Sequence, residues 1–275
     1  MTIEIPDNWL GKKLDGSLER ILQKPATQIV VPPSVPTIII PANNLGINKA
    51  DYINLPSAKH SNYEYGETLV AMERTHLNSD WHAARDGLAV DGAYMLTIRQ
   101  LADFLNLLRS GQASDGNGNR IQPSRLTDLY NDITEVRNPW RSEWLDARFV
   151  EQQTGTRVKV PGTNIGIPGT ARKEMHITYH AVNSQGVFQE VTEILEPYLA
   201  RNKTPGINLN NWLSGATKHG IPSPNTSDGD LWYWSPTDGT VARFDADSGR
   251  VYLSCCGYPA NRLAELGVRA ARAKI

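Results

Sequence analysis

The side chains of this 275-residue chain best suited to meeting a ligand cluster near its end, in VARFDADSGRVYLSCCGYPANRLAELGVR, positions 241–269. Ala242, Phe244, Ala246 and Ser248 are small or apolar, and Arg243, Asp245 and Asp247 fall between them. After Gly249 the phase flips: Val251, Leu253, Cys255, Gly257 and Pro259 hold the inner positions, and Arg250, Tyr252, Ser254, Cys256 and Tyr258 the outer. A period of two predicts strands with one face on a core and one in solvent. A turn or one-residue bulge at Ser248-Gly249 keeps the same face inward on both sides. With Asn261 and Arg262 from the next loop, the outward residues have the chemistry of a combining surface. Tyrosines supply rigid area, Asp, Ser and Asn adaptable hydrogen bonds, and arginines charged anchors.

Other reactive residue types lead to less. The only cysteines, Cys255 and Cys256, are adjacent, which suits neither a disulfide nor a four-ligand zinc site. No histidine or other base accompanies them locally to activate a nucleophile. In KEMHITYHAV, Met175, Ile177 and Tyr179 alternate with Glu174, His176, Thr178 and His180, the pattern of a strand. On a strand His176 and His180 stand about 13 Å apart at ~3.3 Å per residue, too far to share a metal. His76 and His82 with Asp80 and Asp86 match no chelating spacing. DGNGNR, Asp115 to Arg120, resembles the start of a calcium loop, but Leu126 stands where an EF-hand needs glutamate, so a Gly-Asn turn is expected. Phosphate-cradling, nucleophile-elbow, zincin and dinucleotide motifs are missing, so no catalytic, metal or cofactor residue is assigned.

The outward set contains no Lys, Glu, Gln, Met or Trp, although Lys and Glu are among the commonest surface residues. An asparagine codon whose adenines are replaced at random encodes Asn, Asp, Tyr, Ser, Cys, Arg and Gly, and none of those five. The frame Val-Ala-x-Phe-x-Ala-x-Ser, then Leu-x-Cys, then Pro, closing on Leu266-Gly-Val-Arg269, resembles the variable region of diversity-generating retroelement variable proteins. The resemblance covers the end of the chain only. It implies a C-type lectin fold and a reverse transcriptase that rewrites the adenine-templated codons. It also implies a ligand-binding set of Arg243, Asp245, Asp247, Arg250, Tyr252, Ser254, Cys256, Tyr258, Asn261 and Arg262. The partner would be a protein or other cell-surface ligand, displayed against from a virion or cell surface. An enzyme of formylglycine-generating type on the same fold, and a structural virion or surface component, stay open as alternatives.

Elements must position that face. TIRQLADFLNLLRSG reads as a helix capped by Thr97, striped by Ile98, Leu101, Phe104, Leu105 and Leu108, and stopped at Gly111. A shorter one, capped by Ser79 or Asp80, carries Trp81, Ala84 and Leu88. Further helices are expected at Ser17–Gln23 and, after Ser124, over about 125–136 with Asp128, Asp132 and Glu135 solvated. NPWRSEWLDARFV turns from loop into a strand bearing Trp144 and Phe149, and VFQEVTEILEPYLARN is a helix or an extended run. A long polar loop, holding the sequon Asn225-Thr226-Ser227, leads to Leu231-Trp232-Tyr233-Trp234. A final strand runs from Leu266 to Arg272.

Pro32, Pro33, Pro36 and Pro41 confine QIVVPPSVPTIIIPANN to edge strands or a wrapping arm. Residues 1–45 are therefore an extension packed on, or continuous with, a main domain at 46–275 whose variable region spans about 240–265. Formal net charge is −1, which gives no footprint for nucleic acid, and no apolar run reaches the length of a membrane span. The expected class is α+β, a loop-rich C-type lectin fold with a small twisted antiparallel sheet flanked by helices.

Overall fold

The computed structural model describes residues 46–154, 157–159, 166–168, 172–182 and 187–274, together with Asn8–Trp9 and Lys12–Lys13. The chain divides into two units, Met1–Pro36 and Thr37–Ile275. In the first, Asn8–Trp9 pairs antiparallel with Lys12–Lys13. The helix expected at Ser17–Gln23 and the proline-punctuated strands up to residue 44 lie outside the described residues.

The second unit is α+β. In chain order its main elements are β1 (Tyr52–Leu55), β2 (Ala58–His60), β3 (Tyr63–Tyr65), β4 (Thr68–Thr75), α1 (Trp81–Val90), β5 (Tyr94–Met95), α2 (Ile98–Ser110), α3 (Pro123–Thr134) and β6 (Arg141–Thr154). There follow β7 (Arg172–Val182), β8 (Phe188–Ile194), β9 (Lys203–Ile207), α4 (Leu209–Gly215), β10 (Leu231–Trp234), β11 (Val241–Ala246), β12 (Val251–Gly257) and β13 (Leu266–Ala273). A small antiparallel pair, Arg157–Lys159 with Gly166–Pro168, falls between β6 and β7.

Among the described residues one sheet holds eleven strands, in the order β9-β10-β12-β11-β6-β13-β4-β1, with β7 and β8 branching from β6 and β5 from β13. Contrary to the small antiparallel sheet expected, it is large and mixed: β10 runs parallel to β12, and β13 parallel to β6. Sequence patterning marks which residues are extended but not which distant strand they pair with, and these pairings are long-range.

Local chemistry accounts for the helices. Asp80 caps α1, its Oδ1 accepting from Ala83 N at 2.8 Å. Thr97 and Gln100 form a reciprocal capping box on α2, and Gly111 ends it at φ +67°. Helix α3 starts at Pro123, with its fixed φ in the first turn, and not after Ser124. The run after Val187 resolves as strand β8, and the polar loop contains α4, anchored by buried Trp212 and Leu213. Asp115 Oδ1 accepts from Asn117 N and Asn119 N at 2.9 and 2.8 Å, the side-chain-closed turn expected there.

Apolar clusters cover both faces of the sheet. On one face Leu101, Phe104, Leu105 and Leu108 of α2 join a core that includes Tyr233, Phe244 and Leu253. On the other, Trp81, Ala84 and Leu88 of α1 pack with Trp144, Val241, Leu266 and Val268. Burial of each such large side chain stabilises the fold by roughly 1.5–3 kcal/mol. Buried polar pairing ties the centre: Arg269 Nη2 donates to Glu143 Oε1 at 2.7 Å and its Nη1 to the carbonyls of Ala71 and Met72, while Arg141 also binds Glu143. These guanidiniums hold the buried Glu143 carboxyl down at about 2 against the opposing effect of burial, the largest single influence on it.

Candidate functional site

Within its strands the terminal hairpin follows the predicted alternation on the inner face, whereas Ser248, in the turn, is exposed and Pro259 only half-buried. Ala242, Phe244, Ala246, Val251, Leu253 and Cys255 are buried, and Ala246 pairs with Val251 across the turn. Asp247 closes that turn, its Oδ1 accepting from Gly249 N and Arg250 N at 2.8 and 3.0 Å and its Oδ2 from Arg250 Nε at 3.2 Å. The phase flip thus needs no bulge at Ser248-Gly249; the register shift lies between Val241 and Arg243 instead.

The outer face divides into open and covered positions. Tyr258 and Arg262 are exposed, and Arg250, Tyr252, Cys256, Asn261, Asp247 and Arg243 are half-buried. Asp245 and Ser254 are buried, contrary to the expectation that they face solvent. The reason is topological: β11 is an interior strand between β12 and β6, and the far face of the sheet there carries the α1 cluster around Trp144. In register, Asp245 lies opposite Ser142 and Tyr252, and Ser254 opposite Arg243 and Trp234.

Asp245 has an unusual environment. No hydrogen bond of good geometry reaches either carboxylate oxygen among the described residues, although the Ser142 side chain lies near and Arg243 Nε stands 3.1 Å from Oδ2. Burial pushes the Asp245 carboxyl up to about 7, with the Arg243 charge and then the Ser142 hydroxyl opposing. Tyr252 beside it is pushed up to about 12, by burial first and by the Asp245 charge second. The Cys255 thiol, fully buried, is pushed well up as well, which disfavours the thiolate a nucleophile needs.

The loop after β12 is tied to α1. Trp81 N donates to Pro259 O at 2.9 Å, Asn78 N to Leu266 O at 3.0 Å, and Arg262 Nε and Nη2 to Asp80 Oδ2 at 3.0 and 2.5 Å. Arg262 therefore braces the helix cap as well as facing water. His176 and His180 sit on β7 with separate partners, the Glu174 carbonyl and Asp146, and no metal-ligating group of three is gathered among the described residues.

Beside the hairpin stand Trp232 and Trp234, which lie outside the expected ligand-binding set. Parallel pairing sets Trp232 against Tyr252 and Trp234 against Ser254, so both tryptophans share the outer face. Trp234 meets Tyr252 edge-on at 4.9 Å between ring centroids, and Trp232 lies 5.7 Å from Trp234. The Arg250 guanidinium sits 4.5 Å over the Trp232 ring. Alternation within Leu231-Trp232-Tyr233-Trp234, with Leu231 and Tyr233 buried, was the available signal. Comparison with protein-family models, with curated proteins and with solved structures found no match to this chain.

Proposed function

We propose that this chain is a sequence-diversified ligand-capture protein whose hairpin β11–β12 and following loop form the binding face on a C-type lectin-like frame. One observation carries this: Ala242, Phe244, Ala246, Val251, Leu253 and Leu266 are buried while Arg250, Tyr252, Cys256, Tyr258, Asn261 and Arg262 reach solvent beside two tryptophans. A surface that must tolerate redrawing needs its stability in the inward residues, so that outward changes cost little. Tyr, Trp and Arg are also the side chains that dominate binding energy at interfaces. The ligand is a protein or other cell-surface structure, and nucleic acid is not expected.

No helix among the described residues is long and apolar enough to cross a membrane. Sequencing the gene and its neighbourhood in sibling isolates tests the reading. A nearby template repeat with adenines at the outward codons is expected, with substitutions confined to those positions. Changes spread evenly through residues 241–269, or concentrated at Phe244, Leu253 and Leu266, would overturn it.

A further inference from the structure

We infer that Trp232 is the floor of a cation seat in this face, built for an arginine side chain of a protein partner and filled in the present sequence by the chain's own Arg250. Trp232 and Arg250 line two clefts that flank the turn, of about 550 and 510 Å³. The guanidinium lies 4.5 Å over the Trp232 ring and 5.9 Å from the Tyr252 centroid. A cation over an indole face is held by the ring quadrupole, and indole is the best aromatic partner for it. The seat is also electrostatically prepared. Asp247 binds Arg250 Nε, and Asp230, exposed in the larger cleft, has no ion-pair partner among the described residues. Arg137, the other cation beside the smaller cleft, is already engaged by Asp132.

Residue 250 decides who fills the seat. While it is arginine, an outside guanidinium only exchanges one stacked cation for another and gains nothing. Replacement by a small residue leaves an indole face and two carboxylates, Asp247 and Asp230, without a cation. Trp232 lies outside the residues read as redrawn and Arg250 within them, so a constant floor would be opened or closed by a changing neighbour. The protein partner and that last step rest on the function proposed above; the chemistry of the seat does not.

The test is a calorimetric titration of the full chain and its Arg250→Ser variant with arginine amide, whose heat of binding can be read with or without the Trp232 indole. Arg250→Ser, melting as the parent does, is expected to saturate at a concentration roughly tenfold or more below any response of the parent. Arg250→Ser with Trp232→Leu is expected to lose the saturable response. Should that pair of changes unfold the chain, Arg250→Ser with Asp230→Asn, which alters an exposed side chain, is expected to weaken it severalfold. A folded Arg250→Ser that responds no better than the parent overturns the inference, as does a response indifferent to both second changes. Failure here leaves the pattern of sibling substitutions untouched, and failure there leaves this titration untouched.

Discussion

Asp245 is the residue where proton binding and folding meet. Its folded carboxyl, at about 7, lies above its ordinary value of 3.8, so the folded state holds a proton that the unfolded chain releases. The stabilisation is fully present below about 4 and is lost as pH rises toward 7 and beyond. Asp245→Asn should remove that slope. Its melting temperature is expected to fall less than the parent's between pH 5 and pH 8 and to exceed it at pH 8, where a steeper fall in the variant would refute the assignment. This residue also marks how far the sequence could be read. Alternation placed Phe244 and Ala246 inward correctly, but it could not reveal that the opposite face of β11 is covered as well. A period of two distinguishes the two faces of a strand and says nothing about what lies over each.

At the scale of elements, capping chemistry was legible because it is local. Asp80 and Thr97 start their helices as expected, whereas α4 is short and has only Trp212 and Leu213 buried, too few for a periodic signal. Asp80 does two things at once, capping α1 and holding Arg262, and both lower its carboxyl pKa. Asp80→Ala is expected to cost about 1 kcal/mol of stability through the lost cap. Arg262→Ala, which removes the largely exposed partner of that pair, should cost well under that. Chemical denaturation of both variants checks the order, and an equal or larger loss for Arg262→Ala would show that the loop, and not the cap, carries the contact's stability.

At the scale of the molecule, the ion cluster of Arg141, Glu143 and Arg269 joins β6, β13 and the carbonyls of β4. Leu266-Gly-Val-Arg269 was legible as a frame, but the partner of its arginine was not, since Glu143 lies 126 residues away. Glu143→Gln leaves the buried Arg269 guanidinium without its counter-charge, Arg141 keeping Asp132, and is expected to destabilise the fold by about 3–5 kcal/mol at neutral pH. Because the folded Glu143 carboxyl is depressed to about 2, its contribution is present above its ordinary 4.5 and is lost as pH falls toward 2. The gap between parent and variant should therefore narrow in acid, and denaturation at pH 7 and pH 2.5 measures it. A gap that stays constant would place the cost in packing and not in charge.

Strand β13 follows the hairpin in sequence, and in the sheet it is the link between β6 and β4. Every residue from Leu266 to Ala273 is buried. A ribosome delivers this keystone only after the hairpin that precedes it. Copies cut short inside the hairpin would leave β4 and β1 with no strand to join them to the rest, so defective versions of the hairpin would be discarded by their own failure to assemble.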